Sequence, residues 1–373
     1  MIYLDNAATT MIKPESLGRA MLTAMNSAAS PGRGGHRPAM RAAEIVFHCR
    51  ENAAELFNVP EPERIVFTMN ATHALNIAIR SLAHAGSRVL VSGYEHNSVT
   101  RPLAQLGARV DIASSRLFDR EEILKAFAKK ISGADLVICT HVSNVFGFIL
   151  PVYEIAELCR RHKVPLIVDA SQSAGILDVD YLTLGADFIA MPGHKSLFGP
   201  QGTGLLICGR AGEPLLCGGS GSDSIPQVMP DYLPDRMEAG THNVPGIAGL
   251  SAGISYVRGL GLQRIFAHEQ ELLGVMLSGL EGCRGIELFA GPEGSQSGVL
   301  SFRCIGPDCE DLAQGLADRG ICVRGGLHCA PFAHRSAGTL GTGTVRASFS
   351  PFTDAAGVRK AAAAIRELLH STV

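Results

Sequence analysis

The sequence predicts an α/β fold in which a large domain with a mostly parallel seven-stranded sheet, covered by helices, is followed by a smaller α+β domain. Short apolar segments alternate with helical patterns over the first two thirds of the chain, which is typical of a parallel sheet with helical crossovers. These segments are apolar along their whole length, as strands buried on both faces are. The 373 residues also fit two domains at roughly 150 residues per domain.

The elements of the large domain can be read in order along the chain. Residues 41–57 place Ile45, Cys49, Ala53 and Leu56 on one stripe, which predicts an amphipathic helix. Seven short apolar segments bounded by turn or helix signals predict strands at 64–68, 88–92, 109–112, 135–140, 165–169, 187–191 and 204–208. Helical periodicity between them predicts helices over 71–83, 97–106, 120–130 and 151–162.

The C-terminal third has a different pattern. A linker rich in Gly, Ser, Pro and Asp covers residues 209–234. Beyond it we predict helices over 262–281, 308–319 and 354–369, and strands at 286–289, 298–303 and 321–324. We therefore expect a large domain over residues 20–255 and a small domain over 256–373, with residues 1–19 packing near the small one.

Composition excludes several classes of protein. Hydrophobic residues make up 46% and charged residues 18%, which is ordinary globular usage, and the formal net charge of −2 gives no field for nucleic acid. No apolar run reaches the ~18 residues of a membrane span, and the N-terminus lacks a signal-peptide pattern. Ten cysteines without any C-x-x-C indicate reduced thiols rather than a disulfide framework. We expect a soluble, cytoplasmic protein with no nucleic-acid or membrane partner.

Four chemically capable residues follow predicted strands, namely His96, Asn144, Asp169 and Lys195. Ligands of doubly wound sheets bind beyond the carboxyl ends of the strands, so these residues are expected at one edge. Lys195 lies in a glycine-rich segment that lacks the G-K-[ST] of a nucleotide loop. A desolvated lysine suits Schiff-base chemistry, and a carboxylate such as Asp169 can pair with a pyridinium nitrogen.

Ten short motifs in order then carry a resemblance. They are YLDNAAT from residue 3, RGGH from 33, NAT from 70, EHN from 95, HVSN from 141, DASQ from 169, GHK from 193, EAGT from 238, RGGLHCAP from 324 and RAS from 346. In these motifs, over nearly the whole chain, the sequence resembles the cysteine desulfurase and selenocysteine lyase family. That family consists of fold-type I pyridoxal phosphate (PLP) enzymes, also called class V aminotransferases.

The resemblance implies roles for the residues that would hold the cofactor ring. Lys195 would carry PLP as a Schiff base. Once the substrate amine has displaced Lys195 from the cofactor, the free lysine would take the Cα proton of the substrate. Asp169 would keep the ring nitrogen protonated, and Gln172 would hydrogen-bond the phenolic oxygen. His96 would stack on the ring and shuttle protons, since its titration lies near neutrality. Asn144 would lie near the ring oxygen and the substrate.

The resemblance also implies how the phosphate is held. Thr72 and the amides near Ala71 would cradle it at a helix N-terminus. His194 would add a contact, and Thr241 would reach the phosphate from the neighbouring subunit of a homodimer. One contact is missing, because Pro192 stands where such sites usually have Ser or Thr. His73 stands where Glu is common in the family.

Cys329 decides the reaction that the resemblance implies. Its thiolate would attack the sulfur of PLP-bound L-cysteine, or the selenium of L-selenocysteine, and alanine would leave. Arg346 would clamp the substrate carboxylate, and Arg324 would add substrate binding and positive charge. His328 would also supply a positive or protonatable group, and the glycine pair 325–326 would make the loop mobile. We expect the segment 330–345 to order only with substrate bound.

A sulfur-acceptor protein, as in iron–sulfur cluster assembly, would take the persulfide sulfur.

The residues alone leave open several alternatives with a different chemistry. A selenocysteine lyase, a cysteine sulfinate lyase or an aminotransferase would keep the fold and PLP, but transamination and sulfinate elimination need no thiol nucleophile. A dehydrogenase or a serine hydrolase lacks its motif here, and a non-enzymatic scaffold would not need Lys195, Asp169 and Arg346. A metal site is also conceivable at Cys322, His328, Cys329 and His334. Its spacing fits no standard zinc pattern, and we expect no metal.

Overall fold

The computed structural model describes residues 1–32, 34–306 and 308–370. Arg33, which begins the RGGH motif, and the last three residues of the predicted small domain lie outside the described residues. The strands are β1 (Ile2–Tyr3), β2 (Ile65–Thr68), β3 (Arg88–Ser92), β4 (Arg109–Ala113), β5 (Leu136–Thr140), β6 (Leu166–Asp169), β7 (Phe188–Pro192), β8 (Gly204–Cys208), β9 (Ile286–Phe289), β10 (Val299–Cys304), β11 (Ile321–Cys322), β12 (Arg324–Gly326) and β13 (Thr344–Ser348).

The described residues also form twelve α-helices. They are α1 (Glu15–Ser27), α2 (Arg37–Phe57), α3 (Ala71–Leu82), α4 (Asn97–Leu106), α5 (Arg120–Lys130), α6 (Val152–His162), α7 (Tyr181–Leu184), α8 (Val244–Leu260), α9 (Leu262–Leu280), α10 (Cys309–Ala317), α11 (Pro331–Ser336) and α12 (Ala355–His370). None of them combines the length and the apolar character that a membrane span needs.

The large sheet has seven strands in the order β2-β8-β7-β6-β5-β3-β4. β8 runs opposite to the other six strands, so the prediction of a mostly parallel seven-stranded sheet is confirmed. Along β3, Leu90 packs into the core on one face, while Val89 and Val91 pack into the core on the other. Burial on both faces explains why these strands read as continuous apolar segments.

The second sheet has the order β12-β13-β10-β9 and is antiparallel. Its apolar face packs with α9, α10 and α12 around Leu300 and Phe302. The single strand predicted over 321–324 is wrong, because β11 pairs with β1 and β12 pairs with β13. The sequence analysis also missed α1, α8, α11 and β13. Helix α8 is apolar on most of its surface, so it has no amphipathic stripe to detect.

The N-terminal segment joins the two sheets. It begins as β1 beside β11, and Asp5 forms a bridge with Ser348 at the end of β13. A few residues on, the Thr10 amide donates to the carbonyl of His194 beside the large sheet. The predicted packing of residues 1–19 near the small sheet is therefore only part of their contacts. The predicted boundary between residues 255 and 256 falls inside α8, and the division into domains stays a prediction.

Candidate active site

A cavity of about 210 Å³ lies at the carboxyl ends of the central parallel strands. Thr140, Asp169 and Pro192, at the ends of β5, β6 and β7, all line it. Eight residues predicted to bind the cofactor meet in this cavity: Ala71, Thr72, His96, Asn144, Asp169, Gln172, His194 and Lys195. The parallel order of the strands brings these distant residues together, as the strand-end rule requires.

The floor of the cavity is formed by the segment that follows β6. Asp169 is buried, and its Oδ1 accepts a hydrogen bond of 2.9 Å from the Ser171 amide. The Gln172 side chain donates through Nε2 to the carbonyl of Ala7 at 2.9 Å, which fixes the side chain against the N-terminal segment. Both polar groups thus have fixed positions in a largely buried setting.

Lys195 lies just beyond β7, and its backbone is held by the N-terminal segment. The Thr10 hydroxyl donates to the carbonyls of both His194 and Lys195, at 3.1 Å each. Lys13 adds a hydrogen bond of 3.0 Å from Nζ to the His194 carbonyl. Burial of the amine lowers the pKa of Lys195 to about 8, while nearby Asp169 opposes the shift. More of this amine than of an exposed lysine is therefore unprotonated and nucleophilic near neutral pH.

His96 is the N-cap residue of α4. Its Nδ1 accepts a hydrogen bond of 3.0 Å from the Ser98 amide, which fixes the ring at the cavity wall. Burial, assisted by the charge of Lys195, lowers the pKa of His96 to about 4. The expectation that His96 titrates near neutrality is wrong, because the buried ring is already neutral near pH 7.

The opposite end of the cavity is formed by the N-terminus of α3. The amides of the first helical turn have no acceptor within the helix, so Ala71 and Thr72 present an anion-binding end to the cavity. A Cβ on Gly204 would lie 2.9 Å from backbone atoms of Asn70, so only glycine permits this close approach. His194 lines the same cavity, and burial lowers its pKa to about 4. The ring is therefore neutral near pH 7 and would act as a hydrogen-bonding group.

These donors and acceptors fit PLP. The cavity holds the Lys195 amine, the buried Asp169 carboxylate, the His96 ring and the N-terminus of α3, which can bind an anion. A phosphorylated pyridine aldehyde such as PLP requires this set of groups. Pro192 lines the cavity without a side-chain donor, as the sequence analysis noted.

Thr241 lies outside this cavity. It is exposed and lines a separate cavity of about 220 Å³, together with His73 and His242. Sequence reasoning missed the buried group that supports this segment. The Glu238 carboxylate accepts hydrogen bonds from Arg50, from the Phe67 amide and from His242 Nε2. Its place in the EAGT motif was the available signal.

Cys329 is exposed, and its loop is fixed from the large-sheet side. The Asn97 amide donates to the Cys329 carbonyl at 2.8 Å, and Asn144 Nδ2 donates to the His328 carbonyl at 2.7 Å. Both His328 and Cys329 have left-handed backbone conformations, with φ of 49° and 56°. Such conformations cost about 1–3 kcal/mol each and persist where surrounding contacts fix them. Because Asn144 lines the cavity, these contacts bring the thiol loop to the wall of the lysine site.

Three expectations about this loop and the segment after it are corrected. The predicted mobile glycine pair forms part of β12, and a Cβ on Gly325 would collide with the backbone of Cys309. Close packing is therefore the reason for that glycine. Burial lowers the pKa of His328 to about 2, so its ring is neutral and supplies no positive charge to Cys329. The segment expected to order only with substrate contains α11 and the start of β13.

Arg346 and Arg324 lie beside the loop, not among the residues lining the cavity. Arg346 is buried on β13, where Nη1 donates to the Asn144 carbonyl and Nη2 to Asp5 Oδ1, both at 2.9 Å. Arg324 is half exposed on β12, and its Nε donates to Asp5 Oδ2 at 3.1 Å. Asp5 was quoted only as part of a motif, and its link to both arginines was not foreseen.

Two further buried groups bear on the site. Burial raises the pKa of Glu95, next to His96, to about 8, so this carboxyl group is protonated near pH 7. Among the described residues, no group of three or more His, Cys, Asp or Glu side chains could hold a metal ion, and the four residues considered for one do not form such a group.

Comparisons with known proteins agree on one family. The family model for aminotransferase class V matches residues 2–360. A probable cysteine desulfurase of Methanothermobacter thermautotrophicus is 36% identical and covers 93% of this chain and 89% of its own length. The probable cysteine desulfurase of Pyrococcus abyssi is 32% identical over all of this chain and 95% of its own. The apo structure of cysteine desulfurase from Thermococcus onnurineus NA1 has a TM-score of 0.90 and 34% identity, covering 99% and 95% of the two chains.

Proposed function

The chain belongs to the class V aminotransferase family, and on that premise we propose that it is a PLP-dependent cysteine desulfurase. It converts L-cysteine to L-alanine and retains the sulfur as a persulfide on Cys329. The observation that carries this proposal is an exposed thiol whose loop is hydrogen-bonded to the wall of the Lys195 cavity. The relatives named above are cysteine desulfurases, which does not favour the selenocysteine lyase alternative.

The residues of the cavity have distinct tasks in this proposal. Bound PLP supplies an electron-withdrawing ring that stabilises the electron pair left when the Cα proton is removed. Lys195 Nζ holds the cofactor and, once free, accepts that proton, as an amine with a pKa near 8 can do near neutral pH. Asp169 would accept a hydrogen bond from the ring nitrogen, and Gln172 would donate to the ring oxygen. Ala71, Thr72 and His194 would hold the phosphate, and His96 would lie against the ring.

The thiol side completes the reaction. Arg346 donates to the substrate carboxylate, with Asn144 beside it. The Cys329 thiolate attacks the substrate sulfur, and a sulfur–sulfur bond forms as the carbon–sulfur bond breaks. The electron pair of the broken bond stays on the Cβ carbon, which takes up a proton, and Lys195 returns the proton to Cα, so alanine leaves and one sulfur atom remains on Cys329. An acceptor thiol then removes this sulfur, and iron–sulfur cluster assembly is the destination that we propose.

The experiment that tests this function compares two exposed cysteines, Cys329 and Cys217. Purified Cys329→Ser protein should bind PLP normally but produce no alanine from L-cysteine, while Cys217→Ser should retain full activity. Alanine is measured by amino-acid analysis and the persulfide by mass spectrometry of the intact protein. Undiminished alanine production by Cys329→Ser would refute the desulfurase mechanism.

A homodimer in the cytoplasm is part of the same proposal. Thr241 lies away from the cavity of its own chain, which supports its assignment to a partner's phosphate site. Four large apolar side chains are exposed on α1 and α2, as an uncovered interface would show: Leu22, Met25, Met40 and Phe47. All ten cysteines are free, which supports a reducing compartment. Light scattering should give twice the chain mass of 39.4 kDa.

A further inference from the structure

Two arginines face each other on neighbouring strands of the small sheet. Arg324 on β12 and Arg346 on β13 are direct antiparallel partners. Like charges in directly paired positions repel each other. Because Arg346 is buried, solvent does not screen its charge. Some anion must therefore compensate the pair if the buried guanidinium is to keep one orientation.

Asp5 supplies that anion by binding both arginines at once. Its Oδ1 accepts from Arg346 Nη2 at 2.9 Å, and its Oδ2 accepts from Arg324 Nε at 3.1 Å and from Nη2 at 3.0 Å. Its side chain is only 13% exposed. Charge-assisted hydrogen bonds of this kind are the strongest that side chains make, and they fix the plane of a guanidinium.

The backbone around Asp5 is itself fixed on β13. The Ser348 amide donates to the Leu4 carbonyl at 2.7 Å, and the Ala7 amide donates to the Ser348 hydroxyl at 2.8 Å. Asn6 Nδ2 adds a hydrogen bond of 2.9 Å to the Ser348 carbonyl. The carboxylate is thus held two residues along the strand from Arg346 and cannot follow a displaced guanidinium.

One of the three guanidinium nitrogens of Arg346, Nε, has no hydrogen-bond partner among the described residues. Nη1 donates to the Asn144 carbonyl and Nη2 to Asp5, whereas Nε is buried and has no partner among the described residues. A buried N–H without an acceptor is costly, and a carboxylate that accepts from it recovers this cost. The bonds to Asp5 and Asn144 therefore fix which edge of the guanidinium is left for a ligand.

We propose that Asp5 is a positioning residue for substrate: it holds Arg346 so that its free Nε edge receives the α-carboxylate of the amino acid. The role of Asp5 rests on the proposed function, because Arg346 binds substrate only under that proposal. Without the Asp5 charge, the two guanidiniums repel and the buried one loses its orientation, so a carboxylate ligand must first restore it. Arg324 acts through Asp5 and is not required to touch the substrate.

The test compares L-alanine with ethylamine, which has the same amine and methyl group but no carboxylate. Both are titrated into PLP-loaded protein, and binding is followed by the change in visible absorbance. In Asp5→Asn, the Kd for L-alanine should rise about tenfold, while that for ethylamine should stay within about twofold. An unchanged or lower Kd for L-alanine, or an equal loss for both ligands, would overturn the proposal.

Two further variants complete the test. Asp5→Glu keeps the negative charge, and its Kd for L-alanine should lie closer to wild type than that of Asp5→Asn; this comparison also stands if Asp5→Asn does not fold. Equal losses in both variants contradict the proposal. Asp111→Asn breaks an exposed ion pair of 3.0 Å with Arg88 on the edge of the large sheet and should change neither Kd. Wild-type protein that binds L-alanine but forms no persulfide would refute the desulfurase function and leave the Asp5 role intact.

Discussion

The two halves of the candidate site are built in different ways. Lys195 and Asp169 come from the ends of buried parallel strands, and the sheet itself places them, while Thr10 of the N-terminal segment adds hydrogen bonds to the backbone at Lys195. Cys329 and Arg346 come from the small sheet, and their positions depend on contacts with residues far away in the chain. Asn144 donates to the His328 carbonyl across 184 positions, and Asp5 binds Arg346 across 341.

This difference separates holding the cofactor from doing the chemistry. The large sheet positions the lysine half, which consists of Lys195, Asp169 and the residues around them. Substitutions in this half should therefore remove both cofactor binding and turnover. The thiol half contacts the lysine half through hydrogen bonds from Asn144 and Asn97 and through Ala330 and Ala333, which pack in the core beside the large sheet. Damage in the thiol half should therefore lower turnover while PLP stays bound. The predictions below test this separation.

The largest effect is expected for Lys195→Ala. Removing the amine removes the group that holds the cofactor and moves the Cα proton, so activity should fall by at least about 10³-fold, and the bound-cofactor absorbance should disappear. Absorbance spectra and alanine release from L-cysteine measure both. Lys125→Ala, which alters only an exposed pair with Glu121, is the control and should behave as wild type. Colour that resists dialysis and is fixed by borohydride in Lys195→Ala would show that another residue holds the cofactor.

A smaller loss is expected for Asp169→Asn. The amide keeps the shape of the side chain and can still accept from the Ser171 amide, but it lacks the charge that favours a protonated ring nitrogen. Loss of a charged hydrogen bond of roughly 1.5–3 kcal/mol corresponds to about 10- to 100-fold in turnover. The same variant should also bind PLP more weakly, which fluorescence titration measures. Full turnover with normal PLP affinity would remove Asp169 from the lysine half.

The lysine half was accessible to sequence reasoning because local patterns determine it. Apolar segments mark the strands, and the rule that ligands bind at strand ends selects the residues after β5, β6 and β7. The thiol half was less accessible. β13 follows directly on a glycine-rich segment, its first two residues belong to the segment 330–345 predicted as a loop, and its pairing with β12 depends on the tertiary fold. No local pattern indicated that Asp5 lies between two arginines 319 and 341 positions away.

Protonation states formed a second limit. From the sequence, His96 and His328 were assigned ordinary titration, because burial cannot be read from a motif. In the structure both rings are desolvated and lie near arginine or lysine side chains, which lowers their pKa values to about 4 and about 2. The motif identified the residues, but the surrounding packing determines their charge.

A moderate effect is expected for His328→Asn in the thiol half. Asparagine tolerates the left-handed backbone, so the turn should persist, but the contacts of His328 Nε2 with the Thr344 carbonyl and hydroxyl are lost. Alanine production should fall several-fold while PLP absorbance is unchanged. Alkylation of Cys329 by iodoacetamide should become faster relative to exposed Cys217 in the same molecule. Loss of PLP from this variant would contradict the separation of the two halves.

The smallest effect is a pH dependence of stability to which both halves contribute. Burial lowers the pKa values of six histidines, and for five of them the lowering is large, to about 2 for His328 and about 4 for His96, His141, His194 and His334. Between pH 6.5 and 4 the unfolded chain binds protons that the folded protein does not. The free energy of unfolding should therefore decrease as the pH falls through this range.

Two buried carboxyl groups act in the opposite direction. Burial raises the pKa of Glu95 and Glu269 to about 8, so between pH 4.5 and 8 the folded protein holds protons that the unfolded chain has released. Their contribution to stability falls as the pH rises through that range. Because five histidines oppose two carboxyl groups below pH 6.5, the free energy of unfolding of PLP-free protein should be greatest near pH 6.5, as urea titrations at several pH values would measure. Glu269→Gln should reduce the decline from pH 6.5 to 8, and an unchanged decline in that variant would exclude Glu269 as a cause.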